Sequence, residues 1–217
     1  IGQYINSHYE TRYNQMKHRM EWRKKGEEDF VMLDDMVSNS IWMELNEAGY
    51  PCSVKNMENL IYSDFSFSYH PIREYINHLP QWDGIDHIGR LAESVHTIPA
   101  QREFWLKGFR HFLVGMVAAA TQEEIVNHLC LLLCSKQNLG KTTFINKILS
   151  NDLRTDYLST GIISAGNKDD LSRMAEFMLI NFDEFEGMTG HELSLLKDLI
   201  TRKFISIRLP YARHTLN

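Results

Sequence analysis

The sequence has few cysteines, no long apolar run and no excess of positive charge. Its three cysteines are an odd number for a chain of 217 residues, which indicates a reducing compartment. No apolar run is long enough to cross a bilayer and no signal-peptide pattern opens the chain, so we expect a cytoplasmic protein without a membrane partner. Because Ile1 is not an initiator Met, we expect the chain to start as if cut from a longer protein.

The net charge of −5 excludes a global field that would draw the chain to nucleic acid. The charge is uneven, however: residues 1–25 carry six basic residues against two acidic ones, and residues 201–217 carry four basic residues and no acidic one. Either patch could follow a phosphate backbone. In the first patch Tyr9, Tyr13 and Trp22 alternate with basic residues, a pattern that fits base stacking or, more commonly, a small sheet with a solvated face.

A turn-rich loop ending in Gly140, Lys141 and Thr142 lies between a short apolar run and a helical pattern. Residues 126–134 have the length of a buried strand, and the helical pattern continues through residues 144–149. A strand, such a loop and a helix in this order are typical of a phosphate-binding P-loop. Gly140 would let the backbone approach a phosphate, the loop amides would form an anion nest, and the helix start would add partial positive charge.

This motif predicts ATP and Mg²⁺ as ligands. Lys141 can reach the β- and γ-phosphates, and the Thr142 hydroxyl can ligate magnesium. The strict pattern begins with Gly, whereas this chain has Ser135, which is small and polar but lacks glycine's freedom at positive φ. The predicted nucleotide-binding residues are Ser135, Gln137, Asn138, Leu139, Gly140, Lys141, Thr142 and Thr143.

A second apolar run, residues 177–184, ends in the carboxylates of Asp183 and Glu184. It resembles a buried parallel strand whose carboxyl end emerges at a site. Asp183 would join Thr142 in holding magnesium, and Glu184 would polarise the attacking water, so the predicted catalytic residues are Lys141, Asp183 and Glu184. Alone, the run could equally be a strand entering an acidic surface turn, but its pairing with the loop favours the site.

The cysteines in the first apolar run raise the question of a zinc site. His128, Cys130 and Cys134 would share one strand face. Residues four apart on a strand are about 13 Å apart, too far to share one zinc ion. We therefore interpret them as buried strand residues.

Periodicity and capping signals predict an α/β chain in three parts. These are a mostly helical N-terminal module over residues 1–78, a hinge and linker region over 79–100, and a P-loop ATPase domain over 101–217. Helices are predicted over residues 2–8, 34–48, 54–62, 71–76, 85–94, 102–120, 169–176 and 189–200. Strands are predicted over residues 12–14, 19–22, 126–134, 157–164, 177–184 and 204–209, with 64–69 as loop or short strand.

Several stretches together resemble the virulence-associated protein E family of phages and mobile elements. They are residues 71–75, residues 79–88 with their Trp-Asp-Gly sequence, residues 181–186, residues 196–197, and residues 208–213 with their Pro-Tyr-Ala-Arg end. The resemblance spans roughly residues 70–217 and, more loosely, the N-terminal module. Members are similar to superfamily 3 helicases, which are AAA+ ATPases tied to the replication of mobile DNA.

The resemblance implies an AAA+-like P-loop NTPase fold, a parallel sheet flanked by helices. It also implies a homo-oligomeric ring, for which a hexamer is one candidate size. The partners that it implies are single-stranded or forked DNA and a primase or other replication protein. A hairpin after the acidic strand contacts DNA in such proteins, which makes Lys203, Arg208 and Arg213 candidates; an ordinary solvated strand is the equal alternative. The next strand and an arginine finger are not evident before Asn217, so we expect an ATPase core truncated at its C-terminus.

Three functions follow as hypotheses. The first is an ATP-dependent DNA helicase or translocase module of a mobile element. The second is a nucleotide-switched DNA-binding or protein-interaction module with little ATPase activity, which Ser135 and the missing strand favour. The third and weakest is a small-molecule kinase of P-loop type, whose Arg-rich lid finds no counterpart in residues 155–168.

Overall fold

The computed structural model of the chain describes residues 1–160, 170–171, 174–182 and 189–202. Contacts divide the chain into two compact units, Ile1–His78 and Leu79–Asn217. Among the described residues, no helix combines the length and the apolar character that crossing a membrane requires.

The first unit combines a four-stranded mixed sheet with helices. Its elements are α1 Gly2–His8, β1 Tyr9–Asn14, β2 Arg19–Lys24, β3 Val31–Met32, α2 Asp35–Glu47, α3 Val54–Ile61, β4 Phe67–Tyr69 and α4 Pro71–Asn77. The strand order is β3-β2-β1-β4. The pairs β1–β2 and β2–β3 are antiparallel, whereas β4 joins β1 in parallel.

Helices α2 and α3 begin where local capping signals place them. The Asp34 side chain accepts a hydrogen bond from the Val37 amide at 2.8 Å, and Ser53 accepts one from the Asn56 amide at 3.2 Å. Each cap satisfies an amide that has no partner within its own helix. The helices predicted over residues 34–48 and 54–62 are thus confirmed to within one residue at each end.

One face of this sheet carries the core of the unit. The buried core side chains come from α1, the first two strands, the segment before α2, and the helices α2 and α3: Ile5, Tyr9, Met20, Leu33, Ile41, Leu45, Met57 and Ile61. Because side chains alternate along a strand, Tyr9 and Met20 point to the core while Glu10 and Glu21 belong to the other face.

The sheet is larger than the sequence predicted, since the unit combines its four helices with four strands. The sequence predicts strands only over residues 12–14 and 19–22, and a loop or short strand over residues 64–69. The added pairing joins Arg12 to Phe67 across the intervening helices. Local periodicity does not reveal a pairing between segments so far apart in sequence.

The second unit is richer in helix. Its described elements are α5 His87–Glu93, a 3-10 turn at Pro99–Gln101, α6 Arg102–Thr121, α7 Lys141–Asn146, α8 Asn151–Tyr157, β5 Leu158–Thr160, β6 Leu179–Asn181 and α9 Gly190–Thr201. Strands β5 and β6 pair in parallel, with Leu158 opposite Leu179. The described residues therefore contain a two-stranded parallel sheet and not the full sheet expected of a P-loop NTPase.

The prediction of a strand over residues 126–134 is wrong. These residues form no strand pairing within the described part of the chain, and Leu129 and Leu132 are 46% and 69% exposed. A strand needs a hydrogen-bonding neighbour as well as apolar side chains, and the composition of a short run does not reveal whether one exists.

Two other predictions need smaller corrections, and several fall on residues that are not described. Helix α7 ends at Asn146, so the predicted continuation through residue 149 is a turn. Helix α6 extends one residue beyond the predicted range 102–120, to Thr121; its Phe109 is fully buried, whereas its Phe104 is 82% exposed. The strand over residues 204–209 lies outside the described residues, as do parts of the elements predicted over 157–164, 169–176 and 177–184.

Candidate functional site

The loop before α7 has a backbone shape that few residue types adopt. Asn138 has φ of 62° and Gly140 has φ of 77°, both in the left-handed region. Gly140 is required by this conformation and not by crowding, because a Cβ built on it would meet nothing within 4 Å. Asn is the non-glycine residue that tolerates the same region best. Ser135 does not have a positive φ, so the loop forms without glycine's freedom there.

The Lys141 side chain turns back across this loop. Its Nζ donates to the Ser135 carbonyl at 3.1 Å, the Ser135 Oγ at 3.1 Å and the Lys136 carbonyl at 2.9 Å. The first residue of the motif and its lysine are thereby brought together, so that the loop closes around an ammonium group. Lys136 was not predicted as a site residue; its contribution is a backbone oxygen, which residue type does not reveal.

The amide groups at the tip of the loop are free to bind an anion. Residues 135–140 are exposed; residues 137–138 form a turn closed toward Leu139, and in the described part of the chain the amides of Gln137, Asn138 and Gly140 donate no backbone hydrogen bond. Exposed amides in succession, with left-handed residues among them, form an anion-binding concavity. Helix α7 has only six residues, so the loop amides and Lys141 supply the positive potential, in place of the long helix that the sequence suggested.

Aromatic packing holds α7 in place beneath the loop. The rings of Phe144 and Phe109 lie 5.8 Å apart, and Phe109 stacks on Trp105 at 5.1 Å. The Trp105 indole N–H donates to the Ala92 carbonyl at 2.8 Å. The loop is therefore supported by α6 and α5, and Trp105 and Phe109 serve this packing.

The strand β6 also reaches this helix. Asn181 at its end donates from Nδ2 to the Asn146 Oδ1 at 3.3 Å. The predicted residues Asp183 and Glu184 follow within three residues of Asn181 but lie outside the described residues, as do Lys203, Arg208 and Arg213. Thr142 and Thr143 are exposed in the first turn of α7.

The segment that leads into the loop is tethered by polar side chains. Asn127 donates from Nδ2 to the Phe112 carbonyl at 3.1 Å, and Gly115 leaves the room for it, since a Cβ there would lie 2.8 Å from the Asn127 Oδ1. A hydrogen bond of 3.2 Å joins the His128 Nδ1 to the Ile200 carbonyl in α9. Cys130 and Cys134 are exposed, and no cluster of metal-binding side chains occurs among the described residues.

The basic and aromatic residues of the first unit bind one another. The Arg12 guanidinium lies between the rings of Phe30 and Tyr69, at 3.7 and 3.8 Å from their centroids. Its Nε and Nη2 donate to the Glu21 Oε2 at 2.9 and 2.8 Å. Arg23 pairs with Glu10 in the same way, at 2.8 Å from its Nε. This arrangement favours the small sheet over the base-stacking surface.

Comparison with known proteins identifies the class to which the chain belongs. The family model described as the virulence-associated protein E-like domain matches residues 76–217. No curated protein matches the chain. Because the match covers well over half of the sequence, the chain belongs to the virulence-associated protein E-like family, and the predicted resemblance over residues 70–217 is confirmed. Membership of this family suggests a protein associated with phages or mobile elements.

Proposed function

We propose that the second unit is the nucleotide-binding part of a P-loop ATPase that acts as a helicase or translocase on the DNA of a phage or mobile element. The observation that supports this most is the loop itself. Its tip offers the amides of Gln137, Asn138 and Gly140, which donate no backbone hydrogen bond in the described part of the chain, and Lys141 closes its base.

These groups fit a polyphosphate. The amides of Gln137, Asn138 and Gly140 are available donors, and Lys141 adds a full positive charge beside them. The exposed Thr142 hydroxyl would contribute an oxygen ligand to Mg²⁺. Bound Mg-ATP would supply the terminal phosphoanhydride bond whose hydrolysis releases energy for movement. Asp183 would complete the magnesium shell and Glu184 would orient the water, both as proposed roles.

The first test is Mg-ATP binding by titration calorimetry on the unmodified chain and on Lys141→Ala. We expect the substitution to weaken binding by roughly a hundredfold, since charge-assisted hydrogen bonds to phosphate are lost. Lys147→Ala is the matched control, because Lys147 is exposed at the end of the same helix. Equal Mg-ATP affinities of the unmodified chain and Lys141→Ala, with folding intact by circular dichroism, would exclude the P-loop as the nucleotide site.

A nucleotide-switched DNA-binding or interaction module with little ATPase activity is the second candidate. It is favoured by the engagement of Lys141 inside the loop and by the short parallel sheet of the described residues. DNA-stimulated phosphate release by an assembled ring would support the motor, whereas nucleotide-dependent DNA binding without turnover would support the switch. The proposal also includes single-stranded or forked DNA as a partner, DNA contacts from Lys203, Arg208 and Arg213, a ring assembly and a primase partner.

A further inference from the structure

The Lys141 ammonium has no donor left for a phosphate. An ammonium group has three N–H donors, and Nζ has three oxygen neighbours within the loop, at 2.9, 3.1 and 3.1 Å. A phosphate oxygen that binds to Lys141 must therefore displace or share one of these contacts.

The three contacts differ in how easily they can be released. Two of the acceptors are backbone carbonyls, of Ser135 and Lys136, and they can move only if the loop changes shape. The third is the Ser135 hydroxyl, which leaves by rotation about one side-chain bond. That rotation also breaks the bond from the hydroxyl to the Lys136 carbonyl, which at 3.2 Å is long for an O–H···O contact. The hydroxyl is thus the contact that a phosphate would displace.

We propose that Ser135 competes with phosphate for Lys141, an inference that rests on the proposed nucleotide site. The glycine of the strict P-loop pattern has no hydroxyl and leaves one donor of the lysine available. Ser135 is therefore a positioning residue that keeps Lys141 engaged when nucleotide is absent and lowers the affinity of the loop. It acts through Lys141 and binds no ligand itself.

The decisive comparison is between Ser135→Ala and Ser135→Thr in the full chain. Loss of the hydroxyl is expected to tighten Mg-ATP binding about fivefold, the net effect of one ordinary hydrogen bond. Thr keeps a hydroxyl at the same position and is expected to keep the affinity of the unmodified chain. Ser194→Ala is the control, because Ser194 is exposed on α9 and has no role in the loop.

A second measurement tests the contact without nucleotide. Acylation of the Lys141 amine by an amine-reactive reagent, quantified by mass spectrometry, is expected to be severalfold faster in Ser135→Ala than in the unmodified chain or in Ser194→Ala. The same site in Ser135→Thr is expected to react as in the unmodified chain.

The outcomes separate the two proposals. Tighter binding and faster acylation in Ser135→Ala support the competition. Binding by the unmodified chain with equal or weaker binding by Ser135→Ala, or an unchanged acylation rate, overturns the competition and leaves the nucleotide site standing. Absence of Mg-ATP binding in every variant, Ser135→Ala included, overturns the nucleotide site and the competition with it.

Discussion

Replacing Arg12 by Met is expected to destabilise the first unit by about 3 kcal/mol, the lower end of the cost of leaving one partner of a buried ion pair behind. Glu21 is only 5% exposed, and Arg12 supplies both of its short charged contacts, at 2.8 and 2.9 Å. Asn14 and Tyr69 still bond to the carboxylate, and Arg19 lies at 3.7 Å. These remaining contacts place the cost at the lower end.

Met is chosen because it fills the space between Phe30 and Tyr69 without a charge. The loss of stability then reflects the unpaired Glu21 carboxylate and not a cavity between the two rings. Arg12→Met combined with Glu21→Leu is expected to recover most of the stability, since an apolar pair of similar volume often replaces a buried ion pair at little cost. Lys24→Met, at an exposed position on the same hairpin, is the control for adding a methionine.

Hydrogen–deuterium exchange of the full chain measures the effect locally, without assuming that the two units unfold together. Protection of peptides from β1 and β2 is expected to fall about a hundredfold in Arg12→Met, as 3 kcal/mol requires. Peptides from α9 serve as an internal reference in the second unit. Unchanged protection of β1 and β2, or a double variant less protected than the single one, would refute the reasoning and return the basic patch of residues 1–25, to which Arg12 belongs, to the candidates for nucleic-acid contact.

Two further predictions concern single residues. Burial lowers the pKa of His70 below its usual 6.5. The His70 Nδ1 also caps α4 by accepting a hydrogen bond from the Arg73 amide at 3.4 Å. Because the unfolded chain binds more protons than the folded chain below pH 6.5, the free energy of unfolding falls from pH 7 to pH 5. His70→Asn keeps a cap without titrating and is expected to flatten that dependence in urea unfolding, whereas an unchanged slope would argue against it. Asn138→Ala is expected to weaken Mg-ATP binding roughly tenfold, since an ordinary side chain at positive φ costs about 1–2 kcal/mol. Asn138→Gly is expected to preserve the affinity. Calorimetry that shows equal binding by the Ala variant and the unmodified chain would contradict the role of this backbone shape.

Predictions that depend on a few neighbouring residues succeeded. The cap at Thr189 with Glu192 three residues later is present, with the Thr189 amide donating to the Glu192 carboxylate at 2.8 Å. That hydrogen bond lowers the pKa of Glu192, as expected of a carboxylate at a helix start. The helix starts at Asp34 and Ser53 follow the same rule.

Predictions that needed knowledge of a distant neighbour failed or were not made. The run at residues 126–134 was apolar enough for a strand but has no strand partner among the described residues. The parallel pairing of β4 with β1 was missed because its two segments are separated by two helices. The pairing of Arg12 with Glu21 follows only from the hairpin register, which local patterns did not reveal.

The candidate loop shows the same division. Sequence alone determined its glycine, lysine and threonine, the residues flanking them and the family to which the chain is similar, because a motif is a local pattern of residue types. Only the tertiary structure decided that Lys141 is held by Ser135 and Lys136, that α7 rests on Phe109 and that the segment before the loop is not a strand. The physical reason is that side-chain contacts and strand pairing depend on which distant groups the folded chain brings within a few ångströms, and residue order does not state this.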